Sequence, residues 1–327
     1  MKEEFDFENI EVPEYTSVPP VYIITHGRPE LCKKHTTMML QKGGFSGKIV
    51  YVLDDEDTTI DQYRKLPGEV EIFSKKELVD RKDFDFIFPH TGEIYKSTLY
   101  ARVACFDIAR RRGDKYFCVM DDDYDAAIGR MRMSQKTLDL KNLHNFDILI
   151  NLTFDLLKST DAAVVAWSQT GDTLTNKVRY TNLRKAMNVF FFDVDRAYRF
   201  PGVFNEDVSA YVNEGRAGKL ILTVPFILIH QIPTQKAKGG FTEMYKRFGT
   251  YVKSFCSVVV SPSAVMINRM GETKETFRIH HQVKWEHCSP RILAPDWEQR
   301  MKEKGYVGTR VHVNKKRVKT KSDLFFS

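Results

Sequence analysis

Short apolar runs alternate with longer amphipathic ones along most of this chain, and that rhythm predicts its elements. "VYIIT" (21–25) is a β-rich run bounded by His26, Gly27, Arg28 and Pro29. Residues 29–43 then read as a helix, with Pro29 in the first turn and Gly43-Gly44 closing it. "GKIVYVLDDED" (47–57) is a second buried strand that runs into acids, and "EVEIFS" (69–74) is a third. A mostly apolar helix is predicted over 96–112, stopped by Gly113, and the strand "KYFCVMDDD" (115–123) follows at once. Strands and helices in this alternation predict an α/β fold: an open, mainly parallel sheet flanked by helices.

The second half is less regular. Leu143, Phe146, Ile150, Phe154 and Leu157 fall on one face of a helix over 143–158. Buried strands are predicted at 161–167 and 188–195, a helix over 204–218, and a strand over 219–230 that ends in His230. A short helix around 241–255 and a His-rich segment to residue 288 follow. The expected organisation is an N-terminal arm (1–19), a single compact α/β unit (20–288) and a basic C-terminal extension (289–327).

Composition narrows the class. At 327 residues and 42% apolar, the chain can bury a sizeable core. Its longest apolar candidate, "LILTVPFILI" (220–229), is strand-sized and far short of the roughly 20 residues of a membrane span. The first 15 residues are acidic and lack a signal peptide's apolar core, so a cytoplasmic location and no membrane partner are expected. Five scattered cysteines show no zinc spacing, and Cys105 and Cys118 read as core thiols in a reduced protein. The net charge of +7 becomes sharp at "NKKRVKTK" (314–321), either a solvated tail or a contact to a polyanion such as nucleic acid.

In open sheets, ligands sit beyond the carboxyl ends of the strands. Three such ends carry polar chemistry: Thr25 to Arg28, Asp54 to Asp57, and Asp121 to Asp123. Hard carboxylate oxygens suit Mg²⁺ or Mn²⁺. Asp121 and Asp123, two apart at a strand exit, can approach one ion while Asp122 points elsewhere. Asp54 and Asp55 either accept hydrogen bonds from a nucleotide base or ribose, or form a solvated turn. Arg28 is placed to meet a diphosphate, and Arg102 is either a structural ion pair or a nucleotide contact.

The blocks "YIITHGRP", "VYVLDDED", "STLYARVACFDIA" and "VMDDDYD" resemble the nucleotide-binding half of GT-A-fold glycosyltransferases. The later blocks "FNEDVSAYVNEGR" and "IHQIPTQKAKGGFTEMY" are similar to phage DNA-base glycosyltransferases of the TET/JBP-associated, base-J glucosyltransferase-like group. The resemblance covers about residues 20–255. It implies a GT-A-like fold, a UDP-sugar donor, and Mn²⁺ or Mg²⁺ bridging Asp121 and Asp123 to the diphosphate. It implies transfer of glucose or arabinose to the hydroxymethyl group of a 5-hydroxymethylpyrimidine, above all 5-hydroxymethylcytosine, in double-stranded phage DNA. The resemblance also implies a single catalytic unit with 20–125 as its nucleotide-sugar-binding half and 126–288 as its acceptor half, and adds Thr25 to the donor-nucleotide site.

The same resemblance makes Asp207 the candidate base and Glu206 a sugar or acceptor binder, although "FNEDVS" could simply cap a helix. His230 would complete the metal shell. Lys236 and Lys238, in a Gly-closed loop, would cover the diphosphate or touch the DNA backbone. If the target base flips, Trp167, Tyr180 and Tyr211 are receiving aromatics, with core packing as the alternative for each. No protein partner is evident. The rival readings are a glycosyltransferase with a carbohydrate, lipid or protein acceptor, a metal-dependent nuclease, and a non-catalytic DNA-binding module.

Overall fold

A computed structural model of the chain describes residues 13–81, 97–133, 136–169, 185–187, 189–232, 251–271 and 278–288, with 299 and 303 singly. By its internal contacts the chain divides into Met1–Pro290 and Arg291–Ser327. In the second unit, Gln299 donates to Glu303 Oε1 at 2.8 Å.

The first unit is built on a nine-stranded sheet of order β3-β2-β1-β4-β8-β7-β9-β5-β6. The strands are β1 (Val21–Ile24), β2 (Ile49–Asp54), β3 (Glu69–Phe73), β4 (Tyr116–Asp121), β5 (Tyr124–Met133), β6 (Lys136–Asn142), β7 (Ala162–Gln169), β8 (Phe190–Asp193) and β9 (Leu220–Gln231). Only β8 and β5 run against the other seven, so the sheet is open and mainly parallel, the architecture the sequence predicts. A separate antiparallel pair joins β10 (Val265–Met270) to β11 (Arg278–Val283).

Helices cover both faces. Behind β1 runs a helical stretch that is α over Pro29–Cys32 (α1), π over Lys33–Thr37 and α again over Met38–Lys42 (α2). Then come α3 (Ile60–Tyr63), α4 (Lys75–Asp80), α5 (Thr98–Arg112), α6 (Phe146–Ser159), α7 (Glu206–Arg216) and α8 (Tyr251–Val260). Val21 and Ile23 of β1 pack in one core with Cys32, Leu40, Ile150 and Phe154, while Tyr22 and Ile24 pack in the other with residues of α5 and α7. A strand buried on both sides reads as a continuous apolar run rather than an alternating one, which is why β1, β2 and β4 were legible. Helix α5 starts where Ser97 Oγ accepts the Leu99 N–H at 3.2 Å and stops at Gly113, whose φ of 76° favours glycine.

Several expectations are corrected. The β5 and β6 strands were not predicted, because "YDAAIGRMRM" and "KTLDLKN" mix polar and small residues with the apolar ones. The helix expected around 241–255 is α8 at Tyr251–Val260, with 241–250 outside the described residues. Trp167 is buried with Nε1 2.9 Å from Thr153 Oγ1, and buried Tyr211 stacks on Trp285, so both aromatics serve the core. Tyr180 lies outside the described residues. All five cysteines are buried, as Cys105 and Cys118 were expected to be. Among the described residues no helix is long and apolar enough to cross a membrane.

Candidate active site

Strand β4 delivers Asp121 to the sheet's carboxyl edge, and the chain turns through Asp122 and Asp123 into β5. The π segment behind β1 clamps that turn. Buried Thr36 donates its hydroxyl to the Asp121 carbonyl at 2.7 Å and accepts the Tyr124 N–H at 2.9 Å. Asp122 points inward and is fully buried. Its Oδ1 accepts from Arg28 Nη2 at 2.7 Å and its Oδ2 from Thr25 Oγ1 at 2.5 Å. Arg28 and Thr25, expected at a nucleotide, are thus both committed to the middle aspartate. Thr25 is buried and also contacts Tyr63 Oη at 2.7 Å, whereas the Arg28 side chain stays 25% exposed.

Asp121 has a different partner. Arg102 Nη2 lies 3.0 Å from Asp121 Oδ1, and Nε of the same guanidinium lies 3.1 Å from Glu206 Oε1. Thr98 Oγ1 donates to that Glu206 oxygen at 2.6 Å, and Phe190 presents its ring face 4.8 Å from the Arg102 carbon. The guanidinium is buried, and among the described residues its Nη1 has no hydrogen-bond partner. One side chain of α5 therefore joins the end of β4 to the start of α7. Burial disfavours the charge on Arg102, but Asp121 and Glu206 outweigh it and hold the group firmly protonated.

Burial pushes Asp121 up to about 6 against the pull of Arg102, and pushes Asp123 up to about 7 with Asp121 and Asp122 adding to the rise. Among the described residues, five carboxylates (Asp121, Asp122, Asp123, Glu206, Asp207) share this region with two guanidiniums, Arg28 and Arg102, while Lys185 also acts on Asp207. Such an excess of hard, negatively charged oxygens at Asp121 and Asp123 fits a divalent cation that keeps positions for water or phosphate oxygens. Among the described residues, no three His, Cys, Asp or Glu side chains already converge to hold a metal. His230, expected as the third, instead pairs its Nδ1 with Asp125 Oδ1 at 2.6 Å. Next to Asp123 lies Gln231, with Nε2 3.0 Å from Oδ1.

The end of β2 forms a second polar cluster. Asp54 is buried, with Oδ2 2.7 Å from His26 Nδ1 and Oδ1 3.2 Å from Lys75 Nζ, so it is no solvated turn. Burial works to raise its pKa, but His26 and Lys75 outweigh that and hold it below the usual carboxylate value. Asp55 Oδ1 accepts the Lys75 N–H at 3.2 Å, and Asp57 Oδ2 accepts the Gly27 N–H at 2.8 Å. His26 is half-exposed, and Asp55 also faces solvent.

At the start of α7, Asn205 does not cap the helix with its side chain. It sits in the left-handed region at φ 56°, and its Nδ2 donates to Ser257 Oγ of α8 at 2.7 Å and lies 3.2 Å from His281 Nδ1 of β11. The simple capping reading of "FNEDVS" is thereby set aside. Asp207 is buried, with Oδ1 accepting the Val208 N–H at 2.8 Å, and burial together with neighbouring Glu206 raises it to about 6. Lys236 and Lys238 lie outside the described residues. Sequence reasoning missed Thr36, Lys75, Gln231 and His281, whose roles depend on pairings across the fold, and offered only a helix cap for Asn205. Only the acid-rich end of β2 hinted that a buried cation such as Lys75 was needed.

Residues 19–240 match the family model of the TET-associated glycosyltransferases. The protein is a glycosyltransferase. More narrowly, the chain belongs to the TET-associated glycosyltransferase family. A comparison with curated proteins gave no match. Among solved structures, the chain is similar to the mannosyltransferase PcManGT from Pyrobaculum calidifontis in complex with GDP-Man and Mn²⁺, at 11% identity and a TM-score of 0.42 over 76% of this chain and 68% of that one. It is also similar to S. aureus TarS 1–349, at 13% identity and a TM-score of 0.38 over 64% of this chain and 59% of that one.

Proposed function

We propose that this glycosyltransferase moves a sugar, glucose or arabinose, from a UDP-linked donor to the hydroxymethyl group of a 5-hydroxymethylpyrimidine in DNA, with 5-hydroxymethylcytosine the first candidate. The observation that carries the reading is the Arg102 bridge, which ties the acidic end of β4 to the Glu206-Asp207 pair in a chain of this family. Asp121 and Asp123 would hold Mn²⁺ or Mg²⁺, which when bound offsets charge on the diphosphate leaving group.

Asp207 is the base. With burial raising it to about 6, it is ionised near neutrality yet basic enough to take a hydroxyl proton. The hydroxymethyl oxygen bonds to the anomeric carbon and its proton passes to Asp207. The bond from that carbon to the diphosphate breaks, and its electron pair leaves with the nucleoside diphosphate. A base on the face opposite the leaving group inverts the anomeric configuration. Glu206, fixed by Thr98 and Arg102, orients the sugar, and Arg102 prevents the acids from repelling one another. The cluster of Asp54, Asp55 and His26 receives the nucleoside; Arg28, paired with Asp122 yet still 25% exposed, would add positive charge near the diphosphate, and Lys236 and Lys238 are the proposed diphosphate contacts.

The test incubates the protein with Mn²⁺, DNA containing 5-hydroxymethylcytosine and a panel of UDP-sugars, then measures nucleoside masses. A gain of one pentose or hexose that disappears with Asp207→Asn is expected. No gain with any donor, or strand cleavage instead, overturns the proposal.

A further inference from the structure

Asp123 is met by an amide rather than an imidazole. Gln231 Nε2 lies 3.0 Å from Asp123 Oδ1 and 3.2 Å from Oδ2, so one amide nitrogen spans both carboxylate oxygens. Gln231 Oε1 in turn accepts from Gln169 Nε2 at 3.2 Å. Gln169 ends β7, the parallel neighbour of β9, so the two amides stand side by side. With Oε1 turned toward Gln169, Gln231 presents its N–H groups to Asp123. The backbone reinforces this placement: Ile232 N–H donates to the Asp123 carbonyl at 3.2 Å, and Gln231 is in register with Tyr124.

The same register disposes of the preceding residue. Successive side chains of a strand point to opposite faces. With Gln231 directed at Asp123, His230 is directed away, and its ring is held by Asp125 at 2.6 Å.

We propose that Gln231, backed by Gln169, is the residue that positions Asp123 for a divalent cation, and that His230 takes no part in holding it. This rests on the reading of Asp121 and Asp123 as cation ligands. An N–H donor set across both oxygens fixes the carboxylate plane. An amide also does so at every pH, which an imidazole cannot. Outer partners of this kind typically contribute about 10–100-fold in metal affinity.

The experiment titrates the full-length protein with Mn²⁺, alone and with UDP present, and reads bound ion by electron paramagnetic resonance. Asp123→Asn should abolish specific binding. Gln231→Leu should weaken it about 10–100-fold, Gln169→Leu should weaken it less, and His230→Ala should leave it within about twofold of the parent. Gln231→Asn, which keeps the amide but shortens its reach, should fall between Gln231→Leu and the parent, and it serves as the readout should Gln231→Leu misfold. If both Gln231 variants bind like the parent while Asp123→Asn does not, the positioning role is wrong and the cation site stands. A loss with His230→Ala equal to that of Asp123→Asn also overturns the inference. If Asp123→Asn binds Mn²⁺ like the parent, the cation reading falls and the inference falls with it.

Discussion

Arg28 Nη2 lies 2.7 Å from Asp122 Oδ1, and this pair makes the middle of three acids a buried anchor rather than a ligand. Asp122 is fully buried and its other oxygen takes Thr25. Removing one partner of a buried pair costs about 3–5 kcal/mol because the other charge is left uncompensated. Asp122→Ala should fall at the lower end of that range, since the Arg28 side chain keeps 25% exposure and partial hydration. The check is a lower urea midpoint at unchanged slope. An unaltered midpoint would refute the anchoring role.

Arg102 should behave as a shared partner. Arg102→Ala, Glu206→Ala and the double variant form a cycle, and the expected coupling is about 0.5–3 kcal/mol, with the double variant little worse than Arg102→Ala. Arg102→Lys keeps the charge but lacks the planar fork that reaches both Asp121 and Glu206. It should fold and yet lose most of its transfer rate. Additive losses would show that the two contacts act separately.

Asp207→Asn should lower kcat by about 10²–10⁴ while leaving the donor KM near its original value. Because burial penalises the charged carboxylate, the variant should melt no lower than the parent at about pH 8. In the parent, kcat at saturating Mn²⁺ should fall as pH drops through about 6, where Asp207 takes up its proton. A rate that is flat through that range would remove Asp207 from the chemistry.

What the sequence disclosed follows from how local each signal is. The strands β1, β2 and β4 were readable because burial on both faces writes itself into consecutive residues. The acids at 121–123 announced a charged strand end, but not which acid did what. Arg28 and Asp122 are 94 positions apart, and Gln231 and Asp123 are 108 apart, so the division of roles is made by pairings across the sheet. His230 and Gln231 show how fine the distinction is. Both sit at the end of one apolar run, and only the register of β9 against β5 decides which of them faces Asp123. Asn205 looked like a helix cap because its type and position fit; its left-handed φ and its bonds to Ser257 and His281 are tertiary facts.

His281 gives a test in which pH acts on stability. Burial, with His280, Lys253 and Lys185 adding to the effect, lowers this imidazole from 6.5 to about 3. In the unfolded chain the ring takes a proton as pH falls below 6.5, and in the folded chain only near 3, so its contribution is full above 6.5 and is lost progressively below it. His281→Asn keeps an acceptor for Asn205 and does not titrate. Melting curves of parent and variant should therefore converge as pH falls from about 7 to about 4. A constant gap would show that the ring titrates normally.

The π segment Lys33–Thr37 adds a constraint of a different sort, one on chain length. A π turn, bonded i to i+5, holds about one residue more than α periodicity needs. Deleting a residue within 33–35 would let the stretch relax to a regular α-helix and keep its cover over β1. It would also rotate Thr36 by about 100° relative to the residues that precede the deletion, and so out of reach of the Asp121 carbonyl and the Tyr124 N–H if β1 and Pro29–Cys32 hold their place. Helix length here is thus set by the acidic turn it must grip, and a shortened helix could fold well and still leave Asp121 to Tyr124 unsupported.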